Sequence, residues 1–227
     1  MSDKRARLGV PANGTREEIL GKNEHSNLLQ PLIPTNGILF PYTPDVLVNR
    51  NASYENFSFT HTNYSYYQFK NSAPDELQVN ADFTVQTNGE GRYLLAVLHF
   101  LKSMTMIEYG LRTPSSRRGT PPPVLRFNYL GPHMFSNVPV VVNRISYNLQ
   151  KDVDYTPVQL PEEISAERFL SGLDDTGFDL SGNNVVNLPT KLFVTISLLV
   201  QQNPRDVREN FNLSKFKNGQ LLNRGYL

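Results

Sequence analysis

The chain has 227 residues, with 22 Lys and Arg against 21 Asp and Glu for a formal charge of +1, 13 Phe, 11 Tyr, no Trp and no cysteine. That length holds one good-sized domain or two small ones, each able to bury a core, and one domain is the expectation. The balanced charge excludes binding of nucleic acid or membrane through the protein's whole field, and the lack of cysteine excludes a disulfide framework and thiolate metal sites.

Residues 1–40 are polar and carry Pro11, Pro31 and Pro34, with one amphipathic turn near Glu17 to Leu20. They read as an extended N-terminal arm. The basic residues at the start have no apolar run behind them, so they do not read as a secretory signal. No 18-residue apolar stretch follows elsewhere, and the expected starting compartment is the cytoplasm.

Residues 41–202 read as a β domain. The stretch "FSFTHTNYSYYQF", 57–69, is strand-like, but its aromatics change parity: Phe57 and Phe59, then Tyr64 and Tyr66, then Tyr67 and Phe69. Either both faces meet apolar material or a bulge turns the strand midway. Leu77, Val79, Ala81, Phe83 and Val85 then alternate with polar residues in a sustained period of two.

A helix follows. Thr87 and Glu90 stand at capping-box spacing, and Tyr93, Leu94, Val97, Leu98 and Leu101 form one stripe that should lie across a sheet. Tyr109 and Gly110 are its expected end. A long loop over 110–123 carries Arg117, Arg118 and three prolines that extend the chain into the next strand.

Leu125, Phe127 and Tyr129 alternate, as do Val141, Ile145, Tyr147 and Leu149, and the two segments pair as a hairpin. The turn between them holds two large apolar residues, Met134 and Phe135. They either fold back on the subunit's own core or meet another chain.

A second long loop, 156–189, contains an expected short helix near 163–170 and the turn-rich "GLDDTGFDLSGNN". Such a loop is unusual in a compact domain. Leu192, Val194, Ile196, Leu198 and Val200 then form the apolar face of a central strand, with Phe193 and Leu199 on the other side. Residues 203–227 are a polar C-terminal tail in which Phe211, Phe216 and Tyr226 recur; it either docks on a neighbour or stays mobile. The order of elements predicts a mainly β, α+β fold: an antiparallel sandwich or barrel with one flanking helix.

The sequence offers no candidate for catalysis, metal or cofactor. His25, His61, His99 and His133 lie far apart, without ligand spacing. Asp174, Asp175 and Asp179 lack the spacing and closing Glu of a calcium loop. The "GEG" at 89–91 is neither a dinucleotide fingerprint nor a P-loop, and no GxSxG elbow occurs. The protein is expected not to be an enzyme and to need no cofactor.

Arg117 and Arg118 read as a solvated loop or as contacts to phosphate or to a neighbour's acids. Tyr64, Tyr66, Tyr67 and Phe69 read as core plus interface, with a sugar-stacking platform as the alternative.

Taken in order, "FTHTNYSYYQFKNSAPDELQVNADFTVQTNGEGRYLLAVLHFLKSMT" and "GTPPPVLRFNYLGPHMFSNVPVVVNRISYNLQKDVDY" resemble the baseplate tail-tube initiator and tube-cap proteins of contractile-tailed bacteriophages. The resemblance spans roughly residues 54–202. It rests on Asn63 and Tyr64; Asp82, Phe83 and Thr84 entering a helix at Arg92 and Tyr93; Pro121, Pro122 and Pro123; Gly131; Asn137, Val138 and Pro139; and Asp152 to Tyr155.

The resemblance implies a tail-tube-like fold and a structural virion protein. Six copies would form a hexameric ring in the baseplate, joining the hub to the tail tube and templating its assembly around a channel for DNA. It implies assembly in the host cytoplasm, residence in the virion tail baseplate, and contacts with hub and tube rings and with sheath or wedge proteins. No membrane is involved, and DNA is a partner only in transit. Interface residues on this reading are Tyr64, Tyr66, Tyr67, Arg117, Arg118, Met134, Phe135, Phe211 and Phe216. The alternative is a receptor- or carbohydrate-binding β-module of the same particle.

Overall fold

The computed structural model describes residues 5–11, 16–21, 27–109, 117–161 and 185–226. The expected helix near 163–170, the Asp174, Asp175 and Asp179 turn, and residues 110–116 of the proline-rich loop lie outside them.

The protein is mainly β, with one long helix across an antiparallel sheet. In chain order the strands are β1 (Arg7–Gly9), β2 (Gly37–Leu39), β3 (Asp45–Ser58), β4 (Ser65–Thr84), β5 (Leu125–Tyr129), β6 (Phe135–Tyr147), β7 (Tyr155–Gln159), β8 (Val185–Pro189) and β9 (Lys191–Val200). The helices are α1 (Arg16–Leu20), α2 (Asn88–Ser103), α3 (Pro204–Asn210) and α4 (Leu213–Lys217), with short 3-10 turns at Gln30–Leu32 and Leu222–Arg224. Seven strands form one sheet in the order β2, β1, β5, β6, β9, β4, β3, and β7 with β8 forms a separate ribbon.

The period-two segments set the core. Leu77, Val79, Ala81 and Phe83 of β4 lie opposite Leu198, Ile196, Val194 and Leu192 of β9, and all eight are buried. On the far side of β9, Val140 and Val142 of β6 continue the same layer. Across it lies α2, whose Leu94, Val97, Leu98, Phe100 and Leu101 are buried. Its start has the capping box expected of Thr87 and Glu90: the hydroxyl accepts from the Glu90 amide, and the carboxylate accepts from the Thr87 amide.

The helix ends at Ser103, six residues before the expected stop. The Ser103 and Thr105 hydroxyls donate back to the carbonyls of Phe100 and Lys102, side-chain bonds that compete with further helix. Glu108 then exchanges backbone hydrogen bonds with Thr120 and Gly119, taking the chain off the helix axis.

Two segments depart from expectation. The described residues of the N-terminal 40 are not an arm. β1 lies between β2 and β5, pairing Leu8 with Ile38 on one side and Phe127 on the other, and Leu8, Leu20, Leu32, Ile38 and Phe40 are all buried. The Tyr93 hydroxyl donates to the Leu39 carbonyl at 2.7 Å and accepts from the Leu39 amide at 2.8 Å, tying β2 to the helix. Burial pushes that phenol above its ordinary pKa.

The loop over 156–189, in turn, has strands at both ends, β7 and β8. Their ribbon is docked on the start of α2. Arg92 donates to the Gln159 carbonyl at 2.7 Å, the Asn88 side chain accepts from the Gln159 amide at 2.8 Å, and Val158 is fully buried. A methyl group on Gly91 would overlap the Val158 side chain, so only glycine permits this approach.

Candidate assembly surface

The stretch read as one strand over 57–69 is a hairpin tip. β3 and β4 meet there around a turn at residues 59–64, held by the Thr62 hydroxyl on the carbonyls of Phe59 and Tyr64 and by a positive φ at His61. The parity change in the aromatics is the turn itself, not a bend within one strand.

β9 pairs with β4 only from Glu76 to Thr84. Residues 65–74 of β4 therefore have β3 alone as a neighbour, and the hairpin leaves the body as a two-stranded ribbon. With nine paired positions, from Arg50 with Pro74 to Ser58 with Ser65, at about 3.4 Å each, it projects about 30 Å. Register shifts between Val48 and Arg50 and between Ser53 and Tyr54 add twist where it departs and midway.

Cross-strand pairing decides which side chains share a face. Tyr54 lies opposite Phe69 and Asn56 opposite Tyr67 on one face; Phe57 lies opposite Tyr66 on the other, with Phe59 against Tyr66 at 6.0 Å between ring centroids. Tyr64 at the turn is 76% exposed and Tyr67 69%. Both faces of the ribbon are thus aromatic, and both are in water.

The face of the sheet away from α2 is polar and carries charges of both signs, with Asp45, Glu76, Asp82, Arg144 and Lys191 on it. Asn80, Thr195 and Ser146 lie side by side across β4, β9 and β6, with Gln78 next to Ser197 in the neighbouring row. Gln78 donates to Asn80 at 3.2 Å, Asn143 to Ser197 at 3.5 Å, and Lys191 faces Asp82 at 3.8 Å. Leu47, Phe193 and Leu199 are its exposed apolar members.

The remaining sequence-predicted residues lie elsewhere. The Arg117 Nε donates to Glu108 at 3.1 Å and closes the base of the proline-rich loop, with Arg118 exposed beside it. Met134 is exposed at the β5–β6 turn, but Phe135 is a correction: it is 6% exposed and packs on Phe127 and Tyr129, so it belongs to the subunit's own core. Positive φ at Leu130 and Asn137 turns the chain so that consecutive side chains point apart. Phe211 and Phe216 pack as a tilted pair with ring centroids 5.9 Å apart, and Phe211 also meets Tyr226 at 5.3 Å, within a tail folded against its own sheet.

That tail is locked by Tyr226, whose hydroxyl donates to the Asp206 carboxylate at 2.8 Å, and by Gln202 donating to the Gly225 carbonyl. Gly225 has a φ of 71° and lies against the Asn137 carbonyl, a site no side chain fits.

Sequence reasoning missed Tyr54, Met106, Ile107 and Tyr109, all exposed. Tyr54 sits among polar residues, so only its cross-strand partner marks it. Among the described residues no three His, Asp or Glu side chains come together as a metal site, and no helix is long and apolar enough to cross a membrane. Compared with known proteins, the chain matches no family model and no curated protein sequence.

Proposed function

We propose that the chain is a structural subunit of a contractile phage tail: one of six copies in a baseplate ring that joins the hub to the tail tube, templates the tube and lets DNA pass. The observation that supports this reading best is the ribbon. An isolated two-stranded hairpin is marginal in water, and its open edges invite another chain. Seven aromatic side chains held outside the body on such an element are built for burial by a partner.

The polar sheet face suits the wall of a conduit. A basic wall would bind the phosphate backbone through counterion release and slow passage, whereas on this face Arg144 and Lys191 are offset by Asp45, Glu76 and Asp82 among the rows of Asn, Thr, Ser and Gln. Electron microscopy of the purified chain tests the proposal. The expected result is a six-membered ring with a central channel that nucleates added tube protein; a lone appendage with wet hairpin tips in the intact particle would end it.

A second reading, a receptor- or carbohydrate-binding module of the same particle, draws on Tyr64, Tyr66 and Tyr67, which are exposed beside Asn56 and Gln68. Glycan binding by the isolated chain that is lost in Tyr64→Ala would favour it.

A further inference from the structure

The C-terminal tail is built apart from the body. The apolar core is drawn from residues between Ala6 and Val200, and among the described residues none beyond Val200 belongs to it. Leu221 and Tyr226, the tail's buried apolar side chains, lie outside that core, and the ring contacts of Phe211 are to Phe216 and Tyr226 of the same segment.

Its polar bonds also turn inward. The Asp206 carboxylate accepts from Asn210 at 2.6 Å and from Tyr226 at 2.8 Å, and Arg224 faces it at 3.7 Å. Asn203 and Asn212 cap the starts of α3 and α4. Among the described residues, one hydrogen bond leaves residues 203–226, from the Gln202 side chain to the Gly225 carbonyl.

The body offers this segment a single close seat. Pro139 of β6 stands opposite Arg126 of β5 and between the core-facing Val138 and Val140, so it points away from α2. It is buried all the same, because Gly225 lies on its ring. A Cβ on Gly225 would come within 2.5 Å of the Asn137 carbonyl oxygen and 2.9 Å of Pro139, at a φ of 71°. Beside the seat the two parts stand off: an open cleft of about 500 Å³ lies between Val124 and Arg126 on one side and Asn203, Asp206 and Arg224 on the other.

We infer that residues 203–226 form a strap, latched at Gly225, that leaves the sheet as one cooperative unit while the body stays folded. Its release uncovers Pro139 and the Asn137 carbonyl on the face away from α2. The inference stands on the tail's own contacts and holds whether or not the ring reading does.

A segment opens by itself when it shares little buried surface and few hydrogen bonds with the rest of the fold. Two buried apolar side chains and one hydrogen bond offset poorly the entropy of ordering so long a segment. The internal bonds make its parts move together, since withdrawing Tyr226 from Asp206 also strips Phe211 of its neighbour.

Hydrogen exchange of the full chain in rising, sub-denaturing urea tests this. The amides of Val207, Phe211, Phe216 and Arg224, which bond within the tail, should share one opening constant and one shallow dependence on urea. That opening should be at least about a hundredfold more frequent than the steeply urea-dependent opening of β4 and β9. Gly225→Ala should raise the tail's opening constant about tenfold or more and leave β4 and β9 unchanged.

Tail amides with the constant and slope of β4 and β9, or tail amides that each open with a different constant, would overturn the inference. So would a Gly225→Ala chain whose tail is unchanged, whose sheet opens as readily as its tail, or which does not fold.

Discussion

Tyr54 and Phe69 meet edge to face across β3 and β4, with ring centroids 5.7 Å apart, yet each keeps more than half of its surface in water. Inside a subunit such a pair would be core. Here no third strand reaches it, because β9 stops pairing with β4 at Glu76.

If the ribbon serves assembly, the subunit should fold without it. Replacing residues 51–73 with an Asn-Gly turn, which suits a two-residue hairpin, should move the melting temperature by no more than about 4 °C. The same variant should stay monomeric by light scattering where the full chain assembles.

The β5–β6 turn separates its two apolar residues cleanly. Phe135→Ala should cost about 3 to 5 kcal/mol in denaturant unfolding, because it empties a space between Phe127 and Tyr129. Met134→Ala should change subunit stability by no more than about 0.5 kcal/mol. Equal effects would contradict this geometry.

β1 gives a similar contrast. Leu8→Ala should destabilise by about 2 to 5 kcal/mol, since Leu8 has no exposed surface and lies between Ile38 and Phe127. An N-terminal arm outside the fold would show almost no change in the same unfolding measurement.

The tail should open at both extremes of pH. Hydrogen bonds from the Tyr226 hydroxyl and the Asn210 amide hold the Asp206 carboxyl below its usual range, so its contribution is present above that range and lost as pH falls from there through the lower pKa of the folded state. Burial and the neighbouring carboxylate hold the Tyr226 phenol above its usual value, so that contribution is present below about pH 10 and lost as pH rises further. Protection of the amides across 203–226, taken relative to their intrinsic exchange rate at each pH, should be greatest between these limits. Asp206→Asn should flatten the acid limb; an unchanged acid limb would show that this pair does not hold the tail.

Much of the body could be read from the chain alone. Alternation at Leu77 to Val85, at Leu125 to Tyr129 and at Leu192 to Val200 is a property of neighbouring residues, as is the Thr87 and Glu90 box, and each determines its own local geometry. The mainly β fold with a helix across it follows from those stretches. The three-residue strands β1 and β2 carry too few residues to show a period, so by sequence Leu8 and Ile38 read as parts of an arm, and only their pairing with each other and with β5 puts them inside. Burial depends on which distant segment arrives. Phe135 is inside because the turn at Leu130 and Asn137 points it at Phe127, and the ribbon aromatics are outside because β9 runs out. Such contacts join residues far apart along the chain, and no local pattern records them.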